Sequence, residues 1–178
     1  MGMHLESFFV SERRSKVFSF RKKEGKKNQP QQKIIVASPV EGTLIDLSQV
    51  CDPVFSQKMM GEGFAVIPES DHIVAPVSGT AVSVFPTGHA VGLRTSQGVD
   101  VLIHIGLDTV SLKGEGFQVL VREGDQVDLG EPIVNFDRQI LRNHDLDATT
   151  MVVFTDGFPA KINVSPKPVK AGDVLIQV

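Results

Sequence analysis

Short apolar runs, broken every few residues by glycine or proline, constrain this chain more than any other feature. From residue 34 onward, segments rich in valine and isoleucine recur at 34–36, 43–47, 65–67, 81–85, 91–95, 99–105, 117–121, 132–136, 151–154 and 174–178. Runs of this length separated by turn residues are the pattern of strands in a β-sandwich or barrel. Residues 138–147 lack both glycine and proline over a helical length, so a single short helix is expected there.

The strands carry an internal repeat. Pro39-Val40-Glu41-Gly42-Thr43 returns as Pro76-Val77-Ser78-Gly79-Thr80, 37 residues later. A second echo sets Val121-Arg122-Glu123-Gly124-Asp125 against Val169-Lys170-Ala171-Gly172-Asp173. Gly-Asp suits a tight turn between strands, because glycine takes positive φ without strain. Two related halves closing on one core are expected; a solenoid needs at least three units in series.

Charge separates the first 32 residues from the rest. They hold eight Lys/Arg and three Glu, a surplus of five, and leave residues 33–178 at −8 from an overall −3. The expected organisation is therefore a basic flexible tail, 1–32, and one domain, 33–178. Phe8, Phe9, Val10, Val17, Phe18 and Phe20 lie among the basic residues of the tail. That mixture fits either an amphipathic segment making weak contact with an anionic membrane surface or a plain unstructured arm, since the apolar positions keep no clean helical stripe. An acidic domain argues against nucleic acid as a partner. No apolar run reaches transmembrane length, no secretory signal pattern opens the chain, and Cys51 is the single cysteine, so a cytoplasmic protein without disulfides is expected.

Two histidines fall where strands would present them. In Asp100-Val101-Leu102-Ile103-His104-Ile105-Gly106 the pleat puts Val101, Ile103 and Ile105 on the core side and Leu102, His104 and Gly106 on the other. His104 would then stand on a partly apolar shelf, open beside Gly106. His89 follows the turn Phe85-Pro86-Thr87-Gly88, and the Thr87 hydroxyl is placed to orient its ring. The spacing from 89 to 104 allows a strand, a turn and a return strand, so a hairpin would set the rings side by side; the pattern alone does not decide that they meet. A neutral imidazole is a nucleophile near pH 7, and a second imidazole can donate to the oxygens of a transferred phosphoryl group without a permanent buried charge. Backbone amides of the turn 106–110 are further candidate donors.

Other chemistries fit less well. A catalytic zinc centre takes three protein ligands plus water, and neither His-Glu-x-x-His nor His-x-His occurs. Cys51 has no activating neighbours and reads as structural. Lys58, in Gln57-Lys58-Met59-Met60, is a poor match to a biotin- or lipoate-bearing lysine, and Gly61-Glu62-Gly63 reads as a turn. No phosphate-binding Gly-Lys-Ser/Thr loop is present.

Residues 34–178 resemble the glucose-type enzyme IIA family of the bacterial sugar phosphotransferase system. The resemblance rests on 37–42, 54–63, Val74-Ala75-Pro76-Val77-Ser78-Gly79-Thr80, Thr87-Gly88-His89-Ala90, His104-Ile105-Gly106-Leu107-Asp108-Thr109-Val110, Leu112-Lys113-Gly114-Glu115-Gly116-Phe117 and Glu123-Gly124-Asp125-Gln126-Val127. It implies an antiparallel β-sandwich of the duplicated hybrid type and a phosphohistidine carrier. His104 would take a phosphoryl group on Nε2 from the phosphohistidine of HPr and give it to a cysteine of an enzyme IIB domain. His89 would stabilise the phosphoryl group and Thr87 would support His89. Phe55, Met60, Phe85 and Leu102, bordered by Asp108 and Val110, would form a partner-docking rim, with Leu102 and Met60 departing in shape from the family's usual residues. No cofactor and no resident metal are implied, and a transient zinc at His89, His104 and a partner's carboxylate stays open. Unphosphorylated, the rim would also suit regulated metabolic enzymes or transporters. The chain would be the free-standing form or a piece of a larger permease.

Overall fold

The computed structural model describes residues 33–155 and 158–178. The chain divides between Gln31 and Gln32, and every described residue belongs to the second unit. The expectations for residues 1–32 fall outside the described residues.

Thirteen strands are formed among the described residues: β1 Ile35–Ala37, β2 Gly42–Asp46, β3 Glu62–Pro68, β4 His72–Val74, β5 Gly79–Val84, β6 Ala90–Arg94, β7 Asp100–Ile105, β8 Phe117–Val119, β9 Gln126–Val127, β10 Pro132–Phe136, β11 Thr150–Phe154, β12 Lys167–Val169 and β13 Val174–Gln177. Two short helices join them, α1 Pro53–Ser56 and α2 Arg138–Asn143. The helix expected over 138–147 stops early: His144 caps it and Asp145 takes a φ of 56°. Strands β4, β9 and β12 escape detection in the sequence because two or three residues are too few to show an alternation. Gly61-Glu62-Gly63 is not a free turn, since Glu62 and Gly63 already belong to β3.

The main sheet is antiparallel, in the order β12-β2-β3-β11-β7-β6-β5-β9. The sheets β4-β10-β8 and β1-β13 supply buried residues to the same core as one face of it, and the architecture is an antiparallel β-sandwich. Val36, Leu44, Phe64, Ile73, Val91, Val101, Ile103, Ile105, Ile133 and Val152 fill the space between the layers. Each such side chain, fully buried, contributes about 1.5–3 kcal/mol relative to leaving it in water. The opposite face of the main sheet carries a smaller cluster of Ile45, Leu47, Val50, Phe55, Ala65, Met151 and Val153.

The repeat has a physical basis. Ala37 N–H donates to Pro76 O and Val74 N–H donates to Pro39 O, both at 2.8 Å, so the two copies exchange equivalent hydrogen bonds. Gly42 and Gly79 open β2 and β5 in equivalent places. A Cβ there would lie 2.0 Å from Ile67 O at Gly42 and 2.3 Å from Arg94 O at Gly79, so no side chain fits. The second echo proves to be a turn used three times. The N–H groups of Arg122, Asp128 and Lys170 donate to the carboxylates of Asp125, Glu131 and Asp173, three residues on, at 2.8–2.9 Å.

The halves differ in one connection, and that difference makes room for a site. Between β5 and β6 lie five residues, Phe85 to His89, while between β2 and β3 the chain makes the longer excursion from Leu47 to Gly61 through α1. The excursion covers the outer face of the sheet with Leu47, Val50 and Phe55 and carries Phe55 to β7.

Candidate functional site

His104 and His89 come together. β6 and β7 are antiparallel neighbours with Ala90 opposite His104, and Ile105 N–H donates to His89 O at 2.8 Å. The alternation along β7 is as the sequence requires: Val101, Ile103 and Ile105 are buried and Leu102 and His104 half-buried. The imidazole rings meet edge to face, 5.0 Å between centroids. Phe55 lies over His104 with centroids 5.2 Å apart, and Phe85 stands edge-on to His89 at 5.4 Å. Thr87 Oγ1 and His89 Nδ1 are hydrogen-bonded at 2.5 Å. His89 is only 6% exposed, with the rings of Phe85 and His104 against its own.

These rings line a cavity of about 300 Å³ whose other walls include Phe55, Met60, Phe85, Leu102, Asp108 and Val110. All six rim positions expected from the sequence are therefore at the cavity. Asp52, Val54, Leu107 and Thr109 line it as well; the sequence reading named none of their side chains for the site, only the amides of the 106–110 turn. A signal for the first was present. Asp52-Pro53 is a helix start, with the Asp52 carboxylate accepting from Val54 N–H at 2.7 Å and proline in the first turn. The helix so begun presents Phe55 to His104.

Two details of the expected shelf change. Gly106 does not leave open space beside His104: it is buried with φ of 74°, and a Cβ would lie 2.4 Å from Thr109 Cγ2 and 2.8 Å from Asp147 O. Its lack of a side chain closes the turn after β7 onto the 147–149 segment. The amides of Gly106 and Leu107 are also already engaged, donating to Thr149 O at 3.0 Å and Asp147 O at 2.8 Å, so neither serves a phosphoryl group.

Electrostatics keep both rings neutral. Burial, reinforced by the neighbouring His89, pushes His104 down to about 4, against smaller opposing effects of the Gly106 backbone and the Asp52 and Asp108 carboxylates. Burial also lowers His89. His104 Nδ1 is buried. No group of three or more His, Cys, Asp and Glu able to hold a metal converges among the described residues. Cys51 is exposed and unpaired. The Lys58 ammonium donates to Glu62 at 2.7 Å and to Ile162 O at 3.3 Å, directly after α1, which is no tip for a carried group.

Residues 34–160 match the family model described as phosphoenolpyruvate-dependent sugar phosphotransferase system, EIIA 1. The chain belongs to this EIIA family. It is 47% identical over 141 residues to the "PTS system glucose-specific EIIA component" of Halalkalibacterium halodurans, covering 79% of this chain and 82% of that protein. Over 130 residues it is 44% identical to the "PTS system glucoside-specific EIICBA component" of Staphylococcus carnosus, covering 73% of this chain but only 19% of that longer protein. The solved glucose permease IIA of Mycoplasma capricolum superposes with a TM-score of 0.78 at 39% identity, over 82% of this chain and 96% of that one. As an EIIA component the chain is a phosphocarrier in sugar uptake, part of a phosphotransferase relay and a partner of other phosphotransferase-system proteins. No helix among the described residues is long and apolar enough to cross a membrane.

Proposed function

We propose that His104 is the residue that carries the phosphoryl group, bonded through Nε2. Carrying this reading is the edge-to-face pair of His89 and His104 at the wall of an apolar cavity. With Nδ1 buried, Nε2 is the nitrogen of His104 left for chemistry, and the low proton affinity of the ring keeps its lone pair free at neutral pH.

In the reaction, the Nε2 lone pair attacks the phosphorus of phosphohistidine on HPr. The donor's N–P bond breaks, its electrons return to the donor imidazole, and Nε2–P forms. Onward transfer reverses the roles: a cysteine thiolate of a IIB domain attacks the phosphorus, the Nε2–P bond breaks and S–P forms. Such transfers gain most from in-line positioning and neutralisation of the equatorial oxygens. His89 supplies that neutralisation by donating from Nε2–H. A neutral ring can do so only if Nδ1 is the acceptor, so the Thr87 hydroxyl donates to Nδ1 and fixes the tautomer.

Phe55, Met60, Phe85, Leu102 and Val110 form the docking rim in this reading, with Asp108 at its border. Glucose-type sugars are the cargo in this reading, as for the glucose-specific EIIA component of Halalkalibacterium halodurans, and the relay is assigned to the cytoplasm. Residues 33–178 act as the carrier domain and 1–32 as a separate basic segment. Incubation with enzyme I, HPr and phosphoenolpyruvate tests the reading. One phosphate per chain is expected, absent in His104→Ala and accepted but poorly passed on by His89→Gln. Full phosphorylation of His104→Ala would remove the assignment.

A further inference from the structure

β8 lies against the turn that carries His89. Gly88 has φ of 68°, and a Cβ built there would meet Phe117 Cβ at 2.9 Å and Val119 Cγ2 at 3.1 Å. The backbone of the Phe85–Gly88 turn therefore rests directly on two side chains of β8, with no room for even a methyl group between them. The turn is closed above by Gly88 N–H donating to Phe85 O at 2.8 Å and Phe85 N–H donating to Ala90 O at 3.1 Å.

β8 itself is firmly backed. It pairs with β10 through Phe117↔Phe136 and Val119↔Val134, and the Phe117 ring stacks on Phe136 at 6.3 Å and 17°. Phe136 and Val134 are core residues. A continuous run of contacts thus leads from the core through Phe117 and Val119 to Gly88, and from Gly88 by one peptide unit to His89. Nothing in the His89–His104 pair itself fixes their separation: the two side chains touch edge to face and share no hydrogen bond.

We infer that Gly88 and the β8 side chains Phe117 and Val119 are positioning residues for phosphoryl transfer, acting as a rest that sets how closely the His89 ring approaches His104. The inference depends on the proposed role of His89. Misplacing a group by about 1 Å can cost on the order of a hundredfold in rate, so the tolerance is narrow. A methyl at position 88 must lift the turn away from β8, and the ring of His89 moves with it.

The test uses the full chain with five variants. Gly88→Ala, if folded by circular dichroism, should accept phosphate on His104 but pass it on roughly tenfold to a hundredfold more slowly. Its His89 ring should show altered nitrogen and proton NMR shifts. Val119→Ala added to Gly88→Ala removes the neighbour at 3.1 Å while Phe117 Cβ at 2.9 Å stays, so it should restore part of the lost rate and bring the His89 shifts part of the way back. The same Val119→Ala change should not rescue His89→Gln. Val119→Leu, which enlarges the rest with Gly88 intact, should slow transfer too and decides the matter if Gly88→Ala fails to fold. Slow transfer by His89→Gln together with wild-type transfer by Gly88→Ala, or by Val119→Leu where that variant must decide, would overturn the positioning role alone. Wild-type transfer by His89→Gln would instead remove the role of His89 on which the inference rests.

Discussion

His89 faces the same cavity as His104 although the pleat would send it the other way. In the β6–β7 register His89 falls opposite Ile105, whose side chain is in the core, and paired residues of antiparallel strands share a face. The turn at Gly88 delays the start of β6 to Ala90, and the imidazole comes round to meet His104 at 78° between planes. The site is made by a strand that starts one residue late.

Acid should weaken the fold through His104. Its folded-state pKa is pushed down to about 4 from the ordinary 6.5. Below 6.5 the unfolded chain binds a proton that the folded chain refuses, so the stabilisation is complete above about pH 6.5 and is lost as pH falls toward 4. Integrated over that window the effect is on the order of 3 kcal/mol. Denaturant unfolding at stepped pH should show His104→Gln losing less stability than the unaltered chain between pH 7 and 4. Parallel losses would mean that His104 is not desolvated.

Thr87 should matter for transfer and little for folding. It is half-buried and its hydroxyl has one role in the structure, the bond to His89 Nδ1. Thr87→Val keeps the shape and removes the donor, leaving His89 free to carry its proton on Nδ1. Onward transfer should fall roughly tenfold or more, with Thr87→Ser close to unaltered and unfolding midpoints of both within about 0.5–1 kcal/mol of the parent. Kinetics of Thr87→Val equal to those of Thr87→Ser would remove its part in setting the tautomer.

Phe55 is expected to control the proton affinity of His104. It is 6% exposed and lies over the ring. Phe55→Leu keeps an apolar contact, while Phe55→Ala opens the cavity to water at a cost of about 3–5 kcal/mol in stability. His104 should titrate closest to its ordinary value in the alanine variant and between the extremes in the leucine variant. NMR titration of the ring protons reads this directly, and an unchanged titration in Phe55→Ala would assign the desolvation to other walls.

Gly106 should tolerate no side chain. Besides positive φ, an added Cβ would press on Thr109 Cγ2 and on the Asp147 carbonyl. Gly106→Ala should lose about 2–4 kcal/mol and disturb the end of β7 where His104 stands. Denaturation together with phosphate acceptance checks both effects; a stable, fully active variant would show that the turn yields easily.

Much of this was legible in the sequence, for reasons that vary by residue. Val101, Ile103 and Ile105 alternate with polar or half-buried neighbours, so the facing of His104 followed from the period of a strand. The repeated Pro-Val-x-Gly-Thr reflects the two places where a neighbouring carbonyl leaves room only for glycine. The meeting of His89 with His104 did not follow from alternation, because it depends on the pleat of β6 beginning only at Ala90. The side chains of Val54 and Leu107 were not foreseen at the cavity because they reach it through tertiary packing, while Asp52 carried a helix-start signal that went unused. Gly106 was misjudged because a missing side chain looks the same in sequence whether it leaves space or fills a crowded turn.

The most direct measurement is phosphorus–proton correlation NMR of the chain phosphorylated through HPr. A single phosphorus resonance coupled to both ring protons of His104, as bonding at Nε2 requires, is the predicted result. Coupling to the ring of His89, His72 or His144, or a phosphorus on any other side chain, would contradict the account.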